Sequence, residues 1–164
     1  MKKVIIAVFM MIGLNTLNAQ SFNAGTSVIQ AGVGLGSDFG LPIGVSYEYG
    51  VSDKLGYGAY AGYSSKTFPL VLDEYTVTYM IFGGRANYHF YQTDKIDTYG
   101  GALLGYNAAS AKWKGSSTLP TPTVGGVVYS GVVGARYYFS DTMAVYGEAG
   151  YGISYLTVGL AYKM

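Results

Sequence analysis

From Val133 to the C-terminus, apolar or aromatic side chains fall at nearly every second position: Val133, Ala135, Tyr137, Phe139, then Val145, Ala149, Tyr151, then Leu156, Val158, Leu160, Tyr162 and Met164. The positions between them are Gly, small residues, Tyr or charged groups. A period of two means strands, because successive side chains point to opposite faces of a sheet. The pattern recurs upstream. Ile29, Ala31, Val33 and Leu35 alternate with Gln30, Gly32, Gly34 and Gly36, and Ile43, Val45, Tyr47 and Tyr49 alternate with Gly44, Ser46, Glu48 and Gly50. Met80, Phe82, Ala86, Tyr88 and Phe90 lie opposite Arg85, Asn87 and His89. The run GGALLGY alternates poorly, so the faces of that segment stay unassigned.

Alternation and turn chemistry together predict eight strands, at about 25–36, 42–50, 55–64, 75–90, 97–108, 126–139, 143–153 and 155–164. The connections VSDK at 51–54, YQTDK at 91–95 and SDT at 140–142 are short and polar. Those between them are SDFGL at 37–41, SSKTFPLVLDE at 64–74, the long SAKWKGSSTLPTPTVG at 110–125, and a tight turn near Ser154. Short connections therefore follow the even strands, which is the asymmetry of outer-membrane barrels, with short periplasmic turns and longer outer loops. Pro42 opens a strand, while Pro69, Pro120 and Pro122 fall in the longer loops, where no ladder donor is lost.

The N-terminus changes the compartment. Lys2 and Lys3 precede a short apolar core from Val4 to Leu14, and a polar stretch ends near Ala19, the pattern of a signal peptide over 1–19. A spanning helix needs roughly 20 apolar residues, and this run is too short. Residues 20–164 then form one domain by length. Without the two leader lysines the ten basic residues become eight, against nine acidic ones, so no nucleic-acid or polyanionic partner is implied. Cysteine is absent, which excludes disulfides, thiolate metal sites, a cysteine nucleophile and a lipoprotein anchor. Charged residues make up only 12% of the chain, about half the usual share for soluble domains. A soluble barrel would need more charge on its outer face. The expected fold is therefore an all-β, eight-stranded antiparallel up-and-down transmembrane barrel, its apolar face toward lipid and its tyrosines in interfacial girdles.

The other face collects charge. Arg85 and Arg136, the only arginines, share the polar register with Glu48 and Glu148, two of three glutamates. Eight strands leave room only for the barrel's own side chains. The four charges are expected to form a paired network in a polar-plugged lumen, with Arg136 directly opposite Glu148 in the hairpin around Thr142. Gln30, Asn87 and His89 join them there. His89 is the only histidine and sits toward the short-turn end, away from where a lipid-modifying barrel would work, and it lacks an evident nucleophile. It is equally a poor metal site. The GxG runs lie inside strands and are no nucleotide fingerprint. Lys112, Trp113 and Lys114 fall in the longest outer loop, where an aromatic between two cations suits contact with lipopolysaccharide or a partner.

The stretch GARYYFSDTMAVYGEAGYG, with the closing LTVGLAYKM, resembles the C-terminal hairpin of the small outer-membrane β-barrel family, which includes the OmpA transmembrane domain, OmpX and the opacity-type surface antigens. The resemblance implies a monomeric barrel, inserted by the outer-membrane assembly machinery, that contacts outer-membrane lipid and lipopolysaccharide and needs no cofactor. Two departures stand out: the chain ends Tyr162-Lys163-Met164 rather than on an aromatic, and no peptidoglycan-tethering domain follows the last strand. Fold and function are separate claims. The leading expectation is a non-enzymatic structural or surface-interaction role. A narrow pore or route for small hydrophobic molecules, resembling the OmpW type, is the alternative. A lipid A-modifying enzyme is the third.

Overall fold

The computed structural model describes residues 21–69, 74–114 and 125–164. The signal-peptide expectation, Pro120 and Pro122 lie outside them. The strands are β1 (Ser27–Leu35), β2 (Ile43–Gly50), β3 (Leu55–Pro69), β4 (Glu74–Gln92), β5 (Ile96–Lys114), β6 (Gly126–Tyr138), β7 (Met143–Tyr151) and β8 (Leu156–Lys163). Each pairs antiparallel with its neighbours in sequence, and β1 pairs with β8, closing the barrel. Closure pairs both edges of each strand around the barrel wall, the condition for crossing lipid with strands.

The outer face carries the apolar half of each alternation. Tyr47, Tyr49, Tyr57, Tyr88, Tyr137 and Tyr162 ring the end with the short turns, and Tyr63, Tyr106, Tyr129 and Tyr151 ring the other end. Between the rings lie exposed aliphatic residues such as Val45, Leu104, Val133, Val158 and Leu160. A band of bare hydrocarbon between aromatic girdles suits a bilayer core and its two interfaces.

Several boundaries differ from the sequence pattern. Ser27, rather than residue 25, opens β1, because Ser21–Thr26 fold back into the short-turn mouth and Gly25 adopts φ 88°. The β4–β5 register shifts between His89 and Tyr91, leaving Phe90, half-buried, in a bulge. The link at 152–155 replaces a tighter turn at Ser154, with Gly152 at φ 108°.

The larger difference is length. A crossing strand needs about 9–11 residues, yet β4 and β5 each run for 19. The β3–β4 ladder continues to Pro69↔Glu74 and the β4–β5 ladder to Glu74↔Lys114. By contrast, β2 leaves β3 at Ile43↔Tyr63, and β6 leaves β5 at Asn107↔Gly126. A three-stranded sheet therefore projects past the barrel rim. Pro69 and Lys112–Lys114, expected in loops, are strand residues of this projection. Thr76, Val77, Thr78 and Tyr79 supply the β-branched and aromatic content that carries the ladder outward.

Candidate functional site

The interior is built in layers along the barrel axis. Nearest the short turns, Phe22 from the N-terminal segment is fully buried and lies flat on His89, ring centroids 3.8 Å apart. Ser21 anchors that segment by donating to the Ile96 carbonyl at 3.1 Å. His89 is bracketed by carboxylates, Nδ1 lying 2.6 Å from Asp97 Oδ1 and Nε2 2.9 Å from Glu48 Oε1. Arg136 bridges the same two acids. It donates from Nη1 to Asp97 Oδ2 at 2.9 Å and from Nη2 to Gln30 Oε1 at 2.7 Å, and pairs with Glu48 Oε2. With both carboxylates ionised, both His89 nitrogens must donate, and the four groups then sum to zero charge. The Tyr99 ring sits 4.5 Å from the Arg136 guanidinium carbon.

Tyr99 connects this cluster to the next. Its hydroxyl accepts from Gln30 Nε2 at 3.1 Å and donates to Glu148 Oε1 at 2.6 Å. Glu148 receives both terminal nitrogens of Arg85, at 2.5 and 3.3 Å, and Arg85 Nε donates to Asn87 at 3.0 Å. The fork-on-carboxylate geometry makes this a bidentate pair. Glu48, Arg85, Arg136, Glu148, Gln30, Asn87 and His89 thus all face the lumen in one connected network.

The pairing inside it differs from the sequence expectation. Arg136 stands opposite Tyr146 on β7, and Glu148 stands opposite Gly134. The hairpin is centred on Asp141 rather than Thr142, because the Met143 carbonyl accepts from both Phe139 and Ser140 and the Ser140 hydroxyl accepts from Met143. That two-residue offset leaves Arg136 to Asp97, which stands directly opposite it on β5, and to Glu48 across the lumen on β2, and gives Glu148 to Arg85.

Asp97 and Tyr99 were not among the expected site residues, although both are completely buried. The obstacle was β5: Leu103 faces inward and Leu104 outward, so the GGALLGY run does not reveal its register. The lumen is also not polar throughout. Toward the far end, Ile81, Leu103, Val128 and Ile153 form an apolar cluster, capped by Phe39 from the β1–β2 connection. A cavity of about 40 Å³ separates the cluster from the Arg85–Glu148 pair. Of the expected loop contacts, Lys112 is an exposed residue of β5; Trp113 and Lys114 are placed by their backbone pairing with Tyr75 and Glu74.

Among the described residues no His, Cys, Asp and Glu group could hold a metal ion. Both nitrogens of His89 are engaged by carboxylates and its face is covered by Phe22, so a substrate finds no open edge of the ring.

No family model matches the sequence, and no curated protein does. Solved structures do match. The N-terminal β-barrel domain of Pseudomonas aeruginosa OprF aligns over 86% of this chain and 98% of its own, with a TM-score of 0.66 at 15% identity. The fold is that of a small transmembrane β-barrel. The outer membrane protein OprG from Pseudomonas aeruginosa aligns over 87% of this chain and 97% of its own, with a TM-score of 0.60 and 13% identity. Ail, the attachment invasion locus protein of Yersinia pestis, covers 86% of this chain and 99% of its own, at a TM-score of 0.54 and 15% identity. At such identities a small transmembrane β-barrel is a likeness of architecture, and roles do not transfer with it.

Proposed function

We propose that the protein is an integral outer-membrane barrel with a non-enzymatic, structural or surface-interaction role. The observation that carries this reading is the projecting sheet of Ser64–Pro69, Glu74–Tyr79 and Ala108–Lys114, raised on a barrel whose lumen is filled. The filled lumen argues for an anchor rather than a conduit. On the β6 side, Ala108–Lys114 has no ladder partner among the described residues, and an open strand edge is a template for pairing with another chain. Lys112 gives the rim an exposed cation, suited to anionic lipopolysaccharide headgroups. The two aromatic girdles support residence in a bilayer. Folding there would require the outer-membrane assembly machinery, with the short turns on the periplasmic side.

The test is removal of the projection. Replacing residues 65–78 with a two-residue turn should leave a folded, membrane-resident barrel. Cells displaying it should lose the binding to lipopolysaccharide or to surfaces that the full-length protein confers. Equal binding by the shortened and full-length proteins would contradict the reading.

A further inference from the structure

Two features on the outside of the barrel lie one above the other. The lower is an apolar groove of about 690 Å³ in the lipid-facing wall, running across β8, β1, β2, β3 and β4. Ile43, Tyr63, Met80 and Phe82 stand up along it, while Ala31 and Ala61 keep it deep. Ile43 opens β2 and pairs with Tyr63, so the groove runs from mid-barrel up to the loop-end girdle. That stretch of wall faces the outer leaflet's hydrocarbon.

Directly above Tyr63 and Met80 the same outward face changes chemistry. Tyr63, Met80 and Ala108 form its last apolar row, and all are exposed. Two residues on, with the same outward orientation, comes Ser65↔Thr78↔Ser110, and then Thr67↔Thr76↔Lys112. These two rows hold five hydroxyls, one ammonium and no carboxylate. The Thr67 and Thr76 hydroxyls meet across the strands at 3.0 Å. Ser65, Thr67, Ser110 and Lys112 are exposed, and Thr76 and Thr78 half-buried. The row beyond, Pro69↔Glu74↔Lys114, brings the first acid together with a second lysine. Each row advances the strand by roughly 7 Å. A headgroup layer is only about 5–8 Å thick. The hydroxyl rows therefore stand at the level of headgroups and of any sugars attached to them.

We propose that the groove and the hydroxyl rows above it together hold one lipopolysaccharide molecule of the outer leaflet, a site that rests on reading the projection as the interaction surface. An acyl chain fills the groove, where the low alanines let it lie against the backbone. The sugars exchange hydrogen bonds with the serine and threonine hydroxyls, each both donor and acceptor. Lys112 pairs with a phosphate on those sugars. A phospholipid offers the chain without the saccharide, and a free sugar offers the saccharide without the chain. Only the glycolipid uses both levels of the wall.

The test uses full-length protein folded in detergent, with folding of every variant confirmed by its unboiled gel mobility. Purified rough lipopolysaccharide is the probe, phosphatidylglycerol the comparison, and native mass spectrometry counts the bound lipid. Lipopolysaccharide should bind about tenfold more tightly than phosphatidylglycerol. Ala61→Phe, which fills the groove, should weaken both lipids. Thr78→Val combined with Lys112→Gln should weaken lipopolysaccharide about tenfold and spare phosphatidylglycerol. Ala102→Phe, the same change on β5 outside the groove, should alter neither. Equal affinity for the two lipids, equal losses from Ala61→Phe and Ala102→Phe, or full binding by the Thr78–Lys112 variant would overturn the site. If the protein lacking residues 65–78 loses surface binding while these variants keep lipopolysaccharide as the parent does, the projection serves another partner. The functional reading then stands and the glycolipid site falls.

Discussion

Phe22 and His89 stack face to face, their ring planes only 10° from parallel, and neither ring is exposed. One belongs to the segment before the first strand and the other to the middle of the chain, so the contact seals the short-turn mouth over the charge network. Phe22→Ala should remove a buried ring and cost about 3–5 kcal/mol in urea unfolding of the folded barrel. Phe22→Leu should recover most of that. An unfolding midpoint for Phe22→Ala equal to the parent would show that the mouth is not sealed by this ring.

The pairing in the lumen is open to double-mutant cycles. Arg136→Ala leaves Glu48 and Asp97 without their shared cation, a loss of about 3–5 kcal/mol for fully buried charges. Arg136 should couple strongly to Glu48 and only weakly to Glu148, while Arg85 couples to Glu148. The reverse pattern, with Arg136 coupled to Glu148, would restore the register centred on Thr142 and contradict the structure.

The two-faced strands were legible because a period of two survives even in Gly-rich stretches. The alternation Ile43-Gly44-Val45-Ser46-Tyr47-Glu48 assigns its own faces, and turn residues mark the eight strands. Register across the lumen was not legible. Asp97 and Tyr99 sit on a strand whose two leucines, Leu103 and Leu104, occupy opposite faces. Arg136 finds Glu48 on β2, across the barrel, where no hairpin rule reaches, while Asp97 stands directly opposite it on β5 but is joined to it by a long connection and a strand that alternates poorly. The apolar cluster escaped for a similar reason, since Ile81, Leu103 and Val128 each lie next to outward-facing apolar residues, Phe82, Leu104 and Val127, and break no alternation that would mark them as inward. Strand extension past the rim was hidden because SSKTF and SAKWK read as polar loop sequence.

Glycine on the inner wall is a packing requirement at Gly44. A Cβ there would lie 2.7 Å from the Tyr60 ring, too close for the ring to stay where it is. Gly44→Ala should therefore destabilise the barrel by about 1–3 kcal/mol, the usual cost of overpacking. Shortening the neighbour with Tyr60→Leu should relieve much of it. Additive losses in the double variant would mean that the two positions do not touch.

The barrel should not conduct steadily. Phe22, the charge network, the Ile81 cluster and Phe39 block the axis in series, and eight strands leave no spare lumen. Planar-bilayer recordings of purified protein should show no long-lived channels. Stable openings whose ion selectivity changed on charge reversal at Glu48 or Arg85 would favour a pore.

The barrel is closed and crosses a membrane, and one gel tests both halves. Membranes from cells expressing the protein are washed with alkaline carbonate, and the pellet is run in detergent with and without boiling. The protein should stay in the pellet and change mobility on boiling, since a barrel closed by β1–β8 pairing resists detergent until heated. Release into the carbonate supernatant, or a single mobility under both conditions, would contradict it.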